Sequence, residues 1–335
     1  MIPPPLPGPL VVMGAGSVGC YIGGLLQAAG AQVHFVGRAR VLQALRENGL
    51  TLTGLDGASH RLPAPQLQLH DTPPRHAGLV LLCVKSGATA AAAVQLAQHL
   101  PAGTPVLSLQ NGVTNAEIGA AAAPTLQWLP GMVPFNIAEI GPGHFHRGTV
   151  GQLNALDHPA LRPWLPLFKA AGLPLALHTD LRPVLWGKLL LNLNNPVNAL
   201  CGLPLRAQLL NRDCRQVLAA LQQEALAVMA AAGITPAQLT PLPSRLLPWV
   251  LRLPTSLFKV VAARLLRIDD QARSSMADDL ALGRPTEVDA LCGAVVRLAF
   301  AQGMQAPLNA AMVELLSVPL PVVRGGSALR QRLGL

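Results

Sequence analysis

One lysine and four asparagines interrupt a leucine-rich stretch at residues 186–200, WGKLLLNLNNPVNAL. If this stretch is helical, Lys188, Asn192 and Asn195 stand at positions i, i+4 and i+7 and share one face. A buried amide without a partner costs roughly 1–3 kcal/mol, so these side chains must face either solvent or a polar group outside the sequence. A partly buried lysine can have its pKa lowered until it exchanges protons near neutral pH, which an arginine cannot do. The simpler alternative is a break between two structural helices.

Two further observations single out this segment. The chain has only four lysines, and two of them, Lys85 and Lys188, lie in stretches that indicate a site. Pro196 cannot donate the helical hydrogen bond to the carbonyl of Asn192, and it disfavours helical geometry at Asn195. We therefore expect a kink that leaves a backbone acceptor close to the polar face.

A glycine-rich turn lies between the first apolar strand and a helix of small residues, in the segment LVVMGAGSVGCYIGG. Gly14, Gly16 and Gly19 form G-x-G-x-x-G, with Ser17 and Val18 between them. Glycines at this spacing allow the tight turn, the approach of a pyrophosphate to the backbone and close helix–strand packing, and the helix N-terminus then faces the phosphates. Because both flanking elements are present, the pattern predicts a dinucleotide site. The alternative is a glycine turn that serves packing alone.

The end of the second strand indicates which dinucleotide binds. An NAD site places an acidic residue there to accept from the ribose hydroxyls, but this chain has Gly37-Arg38-Ala39-Arg40. Arg38 can pair with a 2′-phosphate, which an acid would repel. The sequence therefore favours NADPH, with Arg40 as an ordinary surface residue in the alternative interpretation.

Polar residues also follow two buried strands. The continuous apolar runs at 78–86 and 104–113 predict parallel strands, and they lead to Lys85 and Asn111. The carboxyl ends of such strands meet ligands, so both side chains are candidates for a site at that edge of the sheet.

The order of elements predicts an α/β fold, with an N-terminal Rossmann-type dinucleotide-binding domain followed by an all-α C-terminal domain. Further strands are expected at 145–153 and 173–179, around a helix near 159–172, and from about residue 182 the pattern is helical to about 317. The expected domains are residues 9–180 and 181–320, with flexible termini at 1–8 and 321–335.

Composition excludes several classes of protein. The longest apolar runs are shorter than the roughly 18 residues of a membrane span, and the proline-rich start lacks the basic region of a signal peptide. The net charge is +9, but aromatics are 3% and the arginines are dispersed, so neither nucleic-acid nor membrane partners are expected. Five scattered cysteines without a C-x-x-C fit reduced thiols in a cytoplasm. The basic tail is expected to be a solvated, frayed end.

The remaining groups of polar residues give weaker evidence for a functional site. His144 and His146 would share a face of a strand, but no third ligand is evident, so no metal site is expected. The acidic pair at 269–270 is best explained as a solvated helix face, while Asp279 lies one turn after Ser275 and could orient it. Motifs of P-loop nucleotide hydrolases, zincins and α/β-hydrolases do not occur in the sequence.

Taken together, the motifs resemble the 2-dehydropantoate 2-reductase, or ketopantoate reductase, family over nearly the whole chain. The segments that carry the resemblance are GAGSVG, VKS with Lys85, QNG with Asn111, LWGKLLLN with Lys188 and Asn192, and SSMADDLALGRPTEVDALCG at 274–293. The resemblance implies a Rossmann domain followed by a helical domain, with the active site in the cleft between them. The implied reaction is the NADPH-dependent reduction of ketopantoate to pantoate, a step towards pantothenate and coenzyme A.

The resemblance also implies roles for individual residues. Lys188 would be catalytic, and hydride addition to a ketone builds a negative charge that a nearby ammonium can stabilise and protonate. Asn192 and Ser275 would bind the substrate, and Glu287 would be a catalytic or binding carboxylate, unless it merely pairs with Arg284. Residues expected to contact the cofactor are Gly14, Gly16, Ser17, Val18, Gly19, Arg38, Lys85 and Asn111.

One position departs from the family pattern. Many members carry a second asparagine four residues after the first, where this chain has Pro196, and either Asn195 or Asn198 could replace it.

The expected substrate is a small 2-oxo acid, either ketopantoate or another compound of this class. A nucleotide-sensing or scaffolding protein without turnover is the alternative from a different class, and the joint presence of Lys188, Asn192 and the acidic and hydroxyl candidates argues against it. The oligomeric state is left open, with a homodimer as one alternative.

Overall fold

The structure is a computed structural model that describes residues 6–55, 57–263, 266, 272–317 and 325–335. It divides into two compact units, Met1–Leu181 and Arg182–Leu335. The first unit is a mixed α/β domain and the second is helical throughout its described part. The predicted fold class, a Rossmann-type domain followed by a helical domain, is confirmed.

An eight-stranded sheet forms the centre of the first unit, in the order β12-β11-β8-β7-β6-β1-β2-β5. All neighbouring strands are parallel except β8 and β11. The strands are β1 (Leu10–Met13), β2 (Val33–Val36), β5 (Gln68–His70), β6 (Leu79–Leu82), β7 (Pro105–Ser108), β8 (Gln127–Met132), β11 (Leu153–Leu156) and β12 (Leu175–His178). The helices of this unit are α1 (Ser17–Ala28), α2 (Ala39–Asn48), α3 (Thr89–His99), α4 (Asn115–Ala122) and α5 (Leu165–Ala170).

Apolar sequence explains why the central strands lie where they do. All four residues of β1 and of β6 are buried, as expected for strands covered on both faces. Alternate residues of the strands pack into two clusters, one against α1 and one against α3. The predicted strands at 78–86 and 104–113 are therefore confirmed as β6 and β7.

A second, four-stranded sheet has the order β4-β3-β10-β9 and was not anticipated from the sequence. Its strands are β3 (Leu50–Gly54), β4 (Ser59–Leu62), β9 (Ile137–Gly141) and β10 (His144–Arg147). The segment predicted as one strand at 145–153 is divided between β10 and β11, which belong to different sheets. Gly148 and Gly151 lie at this division, and Gly151 has a φ of +148°, a conformation in which a continuous strand is not expected.

Helices make up the described part of the second unit. They are α6 (Arg182–Asn192), α7 (Asn194–Cys201), α8 (Leu205–Leu210), α9 (Arg212–Ala231), α10 (Leu247–Arg252), α11 (Thr255–Val261), α12 (Ser275–Ala281), α13 (Ala294–Ala301), α14 (Pro307–Ser317) and α15 (Gly326–Arg332), and a π-helical turn, Asp289–Gly293, leads into α13. The long helix α9 is central, because α7, α8, α10, α13, α14 and α15 all pack against it. None of the described helices is long and apolar enough to cross a membrane.

The predicted frayed end at 321–335 is wrong for residues 325–335. Helix α15 packs against α9, with Leu329 fully buried and Arg330 donating to Asp213 at 3.1 Å. A Cβ at Gly326 would lie 2.7 Å from the Sγ atom of Cys214, so the helix approaches α9 closely. Residues 1–5 and the acidic pair at 269–270 lie outside the described residues.

Candidate functional site

The glycine turn connects β1 to α1 in the way that a dinucleotide requires. The backbone N–H groups of Gly14 and Ala15 both donate to the carbonyl of Val36, at 2.9 Å each, which ties the turn to the end of β2. Gly14 has a φ of +108°, and a Cβ there would lie 2.5 Å from the backbone nitrogen of Val84. Only glycine fits this position without moving the neighbouring strand end.

The other two glycines have different surroundings. A Cβ at Gly19 would lie 2.7 Å from the Cγ1 atom of Val12, so this glycine permits close packing of α1 on β1. Gly16 is exposed and no atom would lie within 4 Å of its Cβ. It is the N-cap of α1, and no side chain caps the helix. The backbone of Gly16 and Ser17 is thus open to a ligand at the positive end of the helix, while Val18 packs against the core.

Arg38 lies at the end of β2, as the N-cap of α2, and its side chain is exposed. Among the described residues its guanidinium has no ion-pair or hydrogen-bond partner. Arg40, by contrast, lies 3.7 Å from the carboxylate of Glu139. The two arginines therefore differ, and Arg38 is the one available to an anion.

Lys85 and Asn111 follow the neighbouring parallel strands β6 and β7 at their carboxyl ends. Lys85 is exposed and Asn111 half-buried. The Oγ atom of Ser86 donates to the backbone carbonyl of Asn111 at 2.7 Å, so the two strand ends are physically linked. The structure places these two candidates at the same edge of the sheet, as the sequence predicts.

Helices α6 and α7 meet at Leu193, where the helix is interrupted. Pro196 lies in the first turn of α7, a position where the missing N–H of proline is tolerated. The predicted interruption is therefore present, three residues before the proline. It is a junction of two short helices, each of which buries apolar side chains.

Lys188 is half-buried on α6, one turn before the buried Asn192. Burial lowers the pKa of the Lys188 ammonium from 10.5 to about 8, because the charged form loses hydration. A lysine with this pKa is mostly protonated at neutral pH and can release its proton at little cost, which is what a general acid requires.

The remaining asparagines of the segment divide into two groups. Asn198 is fully buried, and its Nδ2 atom donates to the carbonyl of Leu203 at 2.7 Å and to the Oε1 atom of Gln208 at 2.9 Å. Gln208 in turn donates to the Oδ1 atom of Asn194 at 2.6 Å. Asn194 and Asn198 are thus structural amides. Asn195 is half-buried, and its side chain makes no hydrogen bond to a described residue, so it is the better candidate for the position that Pro196 vacates.

Two adjacent serines at the start of α12 have different roles. Ser274 is buried and caps the helix, accepting from the N–H of Ala277 at 3.2 Å. Its own N–H donates to the Oδ1 atom of Asn198 at 2.9 Å, and its hydroxyl donates to the carbonyl of Asn195 at 3.4 Å. Ser275 is exposed. The structure therefore brings Asn195 and Ser275 to the same corner of the helical unit and leaves the Ser275 side chain exposed.

Glu287 is half-buried and lies two residues before the π-helical turn Asp289–Gly293. Single π-helical turns inserted in helices occur frequently at functional sites. Asp279 is buried on α12, and its proposed orientation of Ser275 stays a prediction.

The two histidines of β10 contact a threonine on the neighbouring strand. The Nε2 atom of His144 and the Nδ1 atom of His146 lie 3.2 and 2.9 Å from the hydroxyl of Thr53 on β3. Within the described ranges, no cluster of three or more histidine, cysteine or acidic side chains could hold a metal ion.

Sequence reasoning missed the residues that support the site. Gln208 and Ser274 hold Asn194, Asn195 and Asn198 in place. Gln208 lies in no motif, and Ser274 begins the motif at 274–293 without a predicted role there. For Gln208, the sequence offers no clear signal, because the short helix LRAQLL also contains the exposed Arg206, and only the burial of Gln208 shows that its amide must find partners.

Comparisons with known proteins agree with this geometry. Residues 10–158 match the model of the ketopantoate reductase PanE/ApbA family, and residues 180–319 match the model of its C-terminal domain. A 2-dehydropantoate 2-reductase of Halobacterium salinarum is 29% identical over 92% of this chain and 97% of its own length. The crystal structure of a PanE/ApbA family ketopantoate reductase from Ralstonia eutropha superimposes with a TM-score of 0.77 at 28% identity, covering 97% of this chain and 99% of the other.

A more distant structure shares the fold alone. The ternary complex of D-mandelate dehydrogenase with NADH and anilino(oxo)acetate has a TM-score of 0.74 at 19% identity, over 97% of this chain and 99% of that one. Two matching family models, which together span both units, and relatives aligned over most of their length lead to one assignment. The chain belongs to the ketopantoate reductase family of oxidoreductases.

Proposed function

We propose that this protein is an NADPH-dependent 2-dehydropantoate 2-reductase, which reduces ketopantoate to pantoate. The observation that carries the proposal is Lys188, a half-buried lysine with a pKa lowered to about 8, one helical turn from the buried amide of Asn192. Membership of the ketopantoate reductase family and the names of its relatives support the same substrate.

The nucleotide-binding unit fits the cofactor. Gly16 offers open backbone at the N-terminus of α1, where the pyrophosphate would lie. Arg38 would pair with the 2′-phosphate, and Lys85 and Asn111 would line the nicotinamide side. When bound, the cofactor supplies the hydride that adds to the ketone carbon.

Lys188 would have two tasks in this reaction. As the hydride arrives, negative charge grows on the ketone oxygen, and the Lys188 ammonium stabilises this charge and donates a proton to that oxygen. The lysine is left neutral and regains a proton from solvent. Its low pKa makes the donation less costly than it would be for an exposed lysine.

Substrate binding would come from the amides and the exposed serine. Asn192, Asn195 and Ser275 provide hydrogen-bond donors for the carboxylate and hydroxyl of the substrate. Glu287 provides an acceptor for the substrate hydroxyl, or acts on the lysine as a catalytic carboxylate. The buried bonds of Ser274 fix the backbone next to Ser275, so the serine is held ready for a ligand.

A steady-state assay tests the proposal. NADPH oxidation is followed with a panel of 2-oxo acids that includes ketopantoate, with Lys188→Ala as the control for turnover at this site. The expected result is the highest kcat/KM for ketopantoate and a loss of turnover in the variant. Preference for another 2-oxo acid would keep the chemistry and replace the substrate. Turnover with no member of the panel would overturn the reductase and favour a non-catalytic NADP-binding sensor or scaffold.

The cellular setting follows from the same proposal. All five cysteines are free thiols, and the Sγ atoms of Cys201 and Cys214 form a hydrogen bond at 3.1 Å instead of a disulfide. Neighbouring thiols that stay reduced fit a reducing cytoplasm. The partner is a small-molecule 2-oxo acid, and a homodimer is the assembly to test by light scattering.

A further inference from the structure

The ends of β6 and β7 are joined by side chains, not by the sheet. The last backbone bond between these strands runs from the N–H of Leu109 to the carbonyl of Leu82, at 2.9 Å. Beyond it, the chains continue to Lys85 and Asn111, the two candidate contacts for the nicotinamide side. Because the ladder has ended, something else must fix the spacing of these two residues.

Gln110 provides the first connection. It is almost fully buried, and its Nε2 atom donates to the carbonyl of Val84 at 3.0 Å and to the hydroxyl of Thr89 at 2.8 Å. Its Oε1 atom accepts from the hydroxyl of Ser108 at 2.9 Å. Both amide protons and the acceptor are therefore in use, and one side chain bonds the β7 end to the β6 end and to α3.

Thr89 and Asn115 complete the connection. The Thr89 hydroxyl is fully buried and lies 2.8 Å from the carbonyl of Ser86 and 3.0 Å from the Oδ1 atom of Asn115. The Nδ2 atom of Asn115 donates to the carbonyl of Asn111 at 2.6 Å, and the hydroxyl of Ser86 donates to the same carbonyl at 2.7 Å. We call the side chains of Ser86, Thr89, Gln110 and Asn115 the strand-end network.

Apolar side chains could fill the volume of the strand-end network without any hydrogen bonds to satisfy. Burying amides and hydroxyls gains little unless every group is satisfied, because each unsatisfied group costs free energy. A fully satisfied buried network makes its surroundings rigid and specifies one arrangement. The arrangement specified here is the separation of the Lys85 and Asn111 backbones.

We propose that Gln110 and Thr89 are positioning residues for the nicotinamide half of the cofactor, acting through Lys85 and Asn111. This inference rests on the proposed function. The adenosine half would bind the glycine turn and Arg38, which lie at other strand ends. Loss of the strand-end network should therefore weaken binding of the nicotinamide half and leave the adenosine half unaffected.

Two buried threonines on the same unit allow a matched test. Thr89→Val removes a hydroxyl of the network with little change of shape. Thr104→Val makes the same change at the opposite end of β7, where the hydroxyl donates to the carbonyl of Pro101 at 2.8 Å and is also buried. Calorimetric titration with NADPH and with 2′,5′-ADP, which lacks the nicotinamide half, measures the two contributions separately.

The two threonine variants should differ in their effect on NADPH binding. Thr89→Val should raise the Kd for NADPH by about tenfold, the effect of one lost buried hydrogen bond, and change the Kd for 2′,5′-ADP by less than about twofold. Thr104→Val should change neither. A merely structural role would lower Tm in both variants without altering the ratio of the two affinities.

Gln110→Met is the second variant, because it keeps the length of the side chain and removes three hydrogen bonds. It should reproduce the pattern of Thr89→Val with a larger effect on NADPH. Equal losses for both ligands, unchanged NADPH binding in both network variants, or an identical effect of Thr104→Val would overturn the positioning role. If the wild-type protein bound neither ligand, the proposed cofactor itself would be wrong, and this inference would fail with it.

Discussion

Replacing Lys188 by methionine should stabilise the protein at neutral pH while removing most of its turnover. Burial lowers the pKa of this lysine from 10.5 to about 8. At about 1.4 kcal/mol per pH unit, this difference corresponds to roughly 3 kcal/mol that the folded state loses by keeping the ammonium charged. Methionine has a similar length and no charge, so the free energy of unfolding should rise by about 1–3 kcal/mol. Turnover should fall by about 10²–10⁴, the contribution of a positioned acid.

The stabilisation should depend on pH in a defined direction. Below about pH 8 the lysine is charged in the folded and unfolded states, and the full cost of burial is present. Between about pH 8 and 10.5 the folded state loses its proton first, so the wild-type protein gains stability relative to Lys188→Met. Above this range the lysine is neutral in both states, and the difference between the proteins should reflect packing alone.

Urea unfolding at about pH 7 and about pH 10 measures this difference, with kcat determined on the same samples. Arg215→Met is the comparison variant, because this fully buried arginine lies on a helix of the same unit and donates to the carbonyls of Leu209, Leu251 and Leu253. Its replacement leaves buried acceptors unsatisfied and should cost about 3 kcal/mol or more. If Lys188→Met unfolded at lower urea than wild type at neutral pH, the lysine would be structural and the argument from its pKa would be refuted.

Four further predictions concern Arg38, Ser275 with Glu287, and the proton donation by Lys188. Arg38→Glu should weaken NADPH binding by roughly tenfold to a hundredfold and NADH binding far less; equal losses in the two titrations would make Arg38 structural. Ser275→Ala and Glu287→Gln should lower kcat/KM for the ketoacid with NADPH affinity nearly unchanged, and a lower Tm with intact kinetics would instead indicate capping or ion pairing. Lys188→Arg keeps the charge but donates a proton poorly, so its kcat should be nearly as low as that of Lys188→Ala; recovery of the rate would mean that charge alone matters. Wild-type kcat for reduction should decline above about pH 8 as Lys188 deprotonates.

The nucleotide-binding unit could be predicted where the signal is local. The glycine turn, the apolar runs of β1, β6 and β7, and the polar residues that follow them are all encoded within a few neighbouring residues. The four-stranded sheet could not be predicted in this way, because β3 pairs with β10 across about ninety residues of chain. Its strands are short and partly polar, so their pairing depends on contacts that only the folded chain provides.

In the candidate site, too, the sequence predicts local features but not contacts between distant residues. Lys188 and Asn192 are placed by helical periodicity, which the sequence displays directly. The roles of Asn194 and Asn198 depend on Gln208, and that of Ser274 depends on Asn198. Hydrogen bonds between separate helices leave no periodic trace, so the sequence alone cannot separate a structural asparagine from one that faces a ligand.

Two different roles of the asparagines, one structural and one proposed to bind the ligand, account for the unusual composition of the α6–α7 segment. A ligand-binding amide must remain in one orientation before the ligand arrives, and the helix around it must therefore be held from outside the site. The buried Asn198 of α7 accepts from the N–H of Ser274 at the start of α12, and this bond fixes the backbone beside Ser275. In the same bonded corner, the Ser274 hydroxyl holds the carbonyl of Asn195 and leaves that residue's amide uncommitted. Under the proposed function, the structural amides of Asn194 and Asn198 would keep the ligand-binding groups in position, and their replacement by leucine should loosen the corner even though neither would touch the substrate.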